Sequence, residues 1–222
     1  MGWSWKSVRM ALTVSVVCVV VAYAIAYHLA FCVERWRYAL VLLVIVPFWT
    51  SFLIRVYAWM GLLKNNGLIN NALLSLGLID QPLEILYTPL AVYIGIVYSY
   101  LPFVVLPLYA TLIRLDQTLL EAASDLGCRP WKQFLTITLP LSMPGVIAGS
   151  MLVFIPVMGE FVIPDLLGGP DALMIGKLMW TEFFNNKDWP LASALAAVLL
   201  AVLVIPFVLW RHYEHRQEQL NP

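Results

Sequence analysis

The sequence predicts an all-α membrane protein, a single transmembrane domain over residues 1–222, and three observations predict it. Hydrophobic residues make up 62% of the chain and charged ones 12%, with a mean hydropathy of +0.84, well outside the range of soluble domains. Charged residues divide the chain into five apolar runs, each long enough for the roughly 20 residues that a bilayer-spanning helix requires. Between the third and fourth runs lies a polar island, residues 121–140, with the sequence EAASDLGCRPWKQFLTITLP.

The first run, residues 10–33, is uncharged between Arg9 and Glu34. Lys6 and Arg9 ahead of it look like the start of a signal peptide, but the run is too long for an h-region and lacks an A-x-A site before Glu34. The second run, residues 38–63, is interrupted only by Arg55. A third lies between Glu84 and Arg114, with Pro89, Pro102 and Pro107 positioned to kink it. The fourth lies between Lys132 and Glu160, with its helix expected to start near Ser142. The fifth, residues 189–210, stops at Arg211. Trp36, Trp131 and Trp210 fall at one end of these runs and Trp59, Trp180 and Trp189 at the other, as interfacial belts would. Gly145 and Gly149, and then Ser193, Ala197 and Ala201, recur at a four-residue spacing that lets membrane helices approach closely.

Arg35, Arg37, Arg114, Arg129, Lys132, Arg211 and Arg216 share one side of this arrangement, against Lys64, Lys177 and Lys187 on the other. The positive-inside rule makes the first side cytoplasmic, together with the polar island and the C-terminus. Five spans then put the N-terminus outside, where Lys6 and Arg9 break the rule. A sixth helix ahead of Met1 is the expectation that removes the conflict.

The polar island carries a motif. Glu121, Ala122 and Ala123 are followed by Gly127, Ile137, Leu139 and Pro140, the spacing E-A-A-x3-G-x9-I-x-L-P. The first three favour a helix, Gly127 suits its left-handed end, and Pro130 blocks simple continuation. This pattern resembles the coupling loop of permease subunits of binding-protein-dependent ABC importers. The resemblance implies the type I, MetI-like fold, usually six spans, with residues 114–141 as a cytoplasmic loop docking on an ATPase. Three longer stretches, PFWTSFLIRVYAWMGLLKNNGLIN, GSMLVFIPVMGEFVIPDLLGGPDALMIG and EFFNNKDWPLASA, resemble the polyamine importer permeases, those for putrescine first and for spermidine/putrescine next. The partners so implied are an ATP-binding subunit pair, a second permease subunit and a periplasmic polyamine-binding protein, at the inner membrane of a bacterium.

Absences in the sequence agree. There is no G-x-x-x-x-G-K-[ST] phosphate loop, so ATP hydrolysis is expected in a separate subunit. Intramembrane protease chemistry lacks its G-x-S-x-G, paired aspartates or H-E-x-x-H, and no enzyme activity is expected. The three cysteines show no metal-ligand spacing, no cofactor is expected, and a net charge of zero gives no nucleic-acid footprint. The alternative is a secondary transporter of organic cations with no ATPase partner, which has no reason to carry the E-A-A motif and would show repeats that are not found.

A cationic cargo also suits the outer side. Asp80, Glu84, Glu160, Asp165, Asp171, Glu182 and Asp188 outnumber Lys64, Lys177 and Lys187 by four charges, interleaved with aromatic residues. Carboxylates attract ammonium groups at range and aromatic faces hold them at contact. Loops depleted of Lys and Arg by the positive-inside rule would be acidic in any case, so the argument narrows to Glu160, Asp165, Trp49, Tyr57, Trp59 and Tyr98 as candidates for the substrate path. Counted along straight helices, Arg55 and Glu160 both sit roughly 25–27 Å from the cytoplasmic start. An ionisable residue at that depth needs a partner or a watery path. Either the two neutralise each other as an ion pair, or Glu160 faces the path and takes a substrate ammonium, or the pair opens during transport.

Overall fold

The computed structural model describes residues 2–32, 34–169, 172 and 174–220, with the backbone alone at 2–5, 34 and 205–220. Asp171 therefore lies outside the described residues, as do the side chains of Trp210, Arg211 and Arg216. Helices follow one another as α1 Gly2–Phe31, α2 Glu34–Ile45, a 3-10 turn Val46–Trp49, α3 Phe52–Leu63, α4 Leu68–Ser75 and α5 Pro89–Leu112. Next come α6 Gln117–Asp125, α7 Pro130–Gln133, a π-turn Phe134–Thr138 and α8 Leu139–Met158. The chain continues as α9 Val162–Leu166, α10 Ile175–Trp180, a second π-turn Thr181–Asn186 and α11 Trp189–Leu220. No strand occurs among the described residues.

α1, α5 and α8 pack against one another and form the core. The buried face of α1 runs through Ala11, Val14, Cys18, Ala22 and Ala26, small residues at three- and four-residue spacing. Close approach of α8 to α5 depends on Gly145 and Gly149. A Cβ on Gly145 would lie 3.1 Å from Leu108 Cα, and one on Gly149 3.0 Å from Val104 Cα. The G-x-x-x-G pair is thus a backbone contact within the chain. Across α1 and α8, the buried Tyr23 hydroxyl meets Ser142 Oγ at 2.7 Å. Ser142 gives its own proton to the Leu139 carbonyl at 3.0 Å, which leaves Tyr23 as the donor to Ser142. By contrast, Ser193, Ala197 and Ala201 of α11 are exposed in the single chain.

Four of the expected runs can be set against the helices observed. α5 continues through Pro102 and Pro107 as one helix, started by Thr88 as N-cap and Pro89 at its first position. The second run is instead broken. Pro47 sits in the 3-10 turn, Thr50 is extended, and the helices on either side meet at 92°. The fourth run begins earlier than Ser142, as a continuous helical segment from Pro130 to Met158. Pro140 does not stop it, because the wider π-turn just before shifts the carbonyl its ring would strike. The fifth run continues as helix beyond Arg211, and its described apolar part is Trp189–Val204.

The end of the bundle opposite α6 and α7 is closed by polar fastenings. Asn70, 1% exposed, receives the Leu83 N–H at 2.9 Å and donates to the carbonyls of Leu83 at 2.9 Å and Lys64 at 3.2 Å. Ser7 Oγ accepts the Ile175 N–H at 2.8 Å, joining the start of α1 to α10. Tyr87, at a φ of 64°, donates its N–H to the Leu167 carbonyl at 3.0 Å.

Candidate functional site

Two regions bring the sequence-predicted residues together, one at each end of α8. At the first, Asp116 caps α6 by accepting the Thr118 N–H at 3.0 Å, and that bond holds its carboxyl below the usual carboxylate range. α6 carries Glu121, Ala122 and Ala123 and buries none of its residues. Its end is a Schellman closure: Gly127 stands at φ 75°, its N–H bonds the Ser124 carbonyl at 2.8 Å, and the Cys128 N–H bonds the Ala123 carbonyl at 2.9 Å. Nothing lies within 4 Å of a Cβ at Gly127, so only the backbone conformation selects glycine there. Pro130 opens α7 after the extended Arg129.

Gln133 fastens the turn from the other side, with Nε2 donating to Ser124 Oγ at 2.7 Å and to the Cys128 carbonyl at 3.1 Å. Sequence reasoning missed this residue, although a Gln three positions after Pro130 at the foot of the second helix was the available signal. Leu119, Ala122, Ala123 and Leu126 share one helical stripe, with Leu126 88% exposed. Of the remaining motif residues, the half-buried Ile137 lies in the π-turn, and the half-buried Leu139 and the exposed Pro140 begin α8.

At the far end, α8 stops at Met158 and the chain turns through Gly159, Glu160 and Phe161 into α9. The break thus precedes the Ile163-Pro164 pair. Pro164 falls in the first turn of α9, where a missing N–H costs nothing. Glu160 is 6% exposed, and its Oε1 accepts the N–H groups of Val162 at 2.9 Å and Ile163 at 3.3 Å. The Tyr100 hydroxyl of α5 donates to Oε2. Its carboxylate therefore pins the elbow between α8, α9 and α5. α10 starts against the same backbone, since a Cβ on Gly176 would overlap the Gly159 carbonyl oxygen.

Arg55 and Glu160 do not form the ion pair that was one of the sequence's readings. The 92° break removes the straight helix on which their equal depth was counted. Arg55 instead donates Nη1 to the Pro47 carbonyl at 3.3 Å and lies 4.4 Å above the Phe48 ring. Asp165 pairs with Lys177, Oδ1 to Nζ 3.2 Å. Trp59 and Tyr98 touch edge to face at 5.2 Å between α3 and α5, whereas Trp49 and Tyr57 are exposed on the broken second run. A stack that sequence reasoning saw only as separate rings joins Phe161 to Trp180 at 4.2 Å and Trp180 to Phe184 at 4.1 Å. Two of the other outer acids have local partners: Glu182 accepts from Asn186 at 2.9 Å and Asp188 from the Leu191 N–H at 3.1 Å. Among the described residues no group of His, Cys, Asp and Glu is placed to hold a metal.

Comparison with known proteins supplies the family. Residues 14–218 match the model for binding-protein-dependent transport system inner membrane components. The chain is 45% identical over 206 residues to the spermidine/putrescine transport system permease protein PotB of Escherichia coli, covering 92% of this chain and 75% of that protein. Against PotB of Haemophilus influenzae it is 41% identical over 210 residues, covering 93% and 73%. The putrescine transport system permease protein PotI of Escherichia coli is 35% identical over 109 residues, 49% of this chain and 38% of that protein. In fold, it superposes on a chain from the crystal structure of a bacterial ABC transporter involved in the import of the acidic polysaccharide alginate, with a TM-score of 0.70 at 18% identity, covering 95% and 78%. The chain belongs to the family of binding-protein-dependent transport system inner membrane components.

Proposed function

We propose that this chain is the permease subunit of an ATP-driven importer that carries putrescine, spermidine or both across the bacterial inner membrane. Its working partners are an ATP-binding subunit pair, a second permease subunit and a periplasmic polyamine-binding protein. Residues 114–141 dock on the ATPase from the cytoplasm, and the C-terminus lies on the same side. The polyamine cargo is supported by relatives at 45% and 41% identity whose names carry spermidine and putrescine.

The observation that carries the coupling role is the α6–α7 turn. It is closed by its own hydrogen bonds, buries none of α6, and presents the Leu119, Ala122, Ala123 and Leu126 stripe outward. A connector serving only to join spans has no need of a preformed, apolar, outward stripe. At the other end, Glu160, Trp59 and Tyr98 are the candidates to line the path, with Asp165 at its mouth. The cargo ammonium meets Glu160 only when the elbow opens, because all three donors now occupy that carboxylate.

Proteoliposomes holding the two permeases and the ATPase pair test this reading, with loaded binding protein outside and ATP inside. Uptake of labelled putrescine or spermidine that needs both ATP and binding protein is expected. Uptake that persists without the ATPase pair would instead favour a secondary transporter.

A further inference from the structure

We propose that Asp165 is an ammonium-binding subsite that the chain's own Lys177 occupies at rest, and that a linear polyamine enters by displacing that lysine. The inference rests on the polyamine reading above and adds the occupant of the site and its exchange.

Lys177–Asp165 is the one ion pair found among the described residues, and its members are unequally placed. The Lys177 side chain is 19% exposed and that of Asp165 63%. The ammonium thus arrives on a tucked stem, while the carboxylate keeps most of its surface open to an incoming cation. Among the described residues nothing bonds its second oxygen.

The base of Lys177 is fixed. Gly176 is pressed against the Gly159 carbonyl, and the Ile175 N–H is held by Ser7. Asp165 is fixed as well, since its N–H bonds the Phe161 carbonyl at 3.0 Å in an α9 capped by Glu160. The pair therefore links α9 to α10 at the elbow, alongside the Phe161–Trp180 stack that joins the same two segments. Phe161 lies four residues before Asp165 and Trp180 three residues after Lys177, so the stacked rings and the ion pair span the same two segments.

Chemistry identifies the competitor. A lysine side chain is a primary ammonium on a flexible four-carbon stem, the same group as one end of a linear diamine. A tethered ligand competes at an effective concentration on the order of mM. Dilute free amine does not displace it, whereas cargo released at the mouth by a docked binding protein does.

The test measures polyamine import by the complete reconstituted complex as loaded binding protein is varied. Lys177→Met should lower the half-maximal concentration by about two- to fivefold, the range open to a partly exposed pair. Lys177→Arg, which keeps the pair and binds the carboxylate more firmly, should raise it at unchanged maximal rate, and this variant serves if Lys177→Met does not assemble. Asp165→Asn should raise it too. The exchanged variant Asp165→Lys with Lys177→Asp should remain impaired, because the carboxylate then sits on the tucked side. Equal impairment of Lys177→Met and Asp165→Asn with recovery in the exchanged variant would mean a brace and overturn the proposal, as would no shift in Lys177→Met or Lys177→Arg. A wild-type complex that imports no polyamine would overturn the cargo reading and this inference with it.

Discussion

Glu160 is the residue on which the outer end turns. Three donors from two elements meet its carboxylate, the Ile163 N–H buried and the other two partly so, and each would lose that partner if it were truncated. Leaving such groups unsatisfied costs about 1–3 kcal/mol apiece, so Glu160→Ala should fail to assemble. Glu160→Gln keeps an oxygen for the two N–H groups and offers its amide to the Tyr100 hydroxyl, so it should assemble near wild-type yield and import far more slowly. Purified yield and uptake rate separate the two, and normal import by Glu160→Gln would remove the carboxylate from the path. Arg55→Gln should not repair either variant, since Arg55 is engaged with Pro47 and Phe48. The sequence marked both charges as unusual, and of the readings it left open the ion pair is not formed. Depth counted on an unbroken helix carries no information about a bend at Pro47.

At the scale of elements, the α6–α7 turn was readable almost residue by residue. Helix formers, a glycine for the left-handed end and a proline to restart are local preferences, and local preferences are written in adjacent residues. The two π-turns were not readable, because a widened turn follows from how a helix must fit its neighbours. The loop yields a graded prediction. Gly127→Asp should disfavour the closure by about 1 kcal/mol from conformation alone and weaken ATPase co-purification. Gly127→Asn, which visits the left-handed region more readily, should keep most of it, and nothing surrounds the site to add a steric penalty. Equal loss in both variants would mean that the glycine is chosen for contact with a partner rather than for its φ. Glu121→Lys, on an exposed face with no partner among the described residues, should leave the fold intact and affect only coupling.

For the whole molecule, five apolar runs and one polar loop were enough to predict a helical membrane protein, and the G-x-x-x-G pair anticipated where two of its helices meet. Gly149→Leu should therefore damage the bundle, since its side chain would be driven into the Val104 backbone at a cost of about 1–3 kcal/mol or more. Loss of detergent-extracted folded protein, without selective loss of ATPase binding, is the expected readout. The sequence did not reveal that the helical path from Pro130 to Met158 is continuous. Its 29 residues form a rod about 43 Å long, with the coupling turn at one end and Glu160 just past the other. Such a rod transmits torque as well as thrust. A tilt applied at the turn swings the distal elbow through an arc scaled by that length, and a roll about the axis turns the three-donor pin at Glu160 away from Tyr100. One residue inserted in the shaft would rotate its ends against each other by about 100°, leaving both ends folded but out of phase.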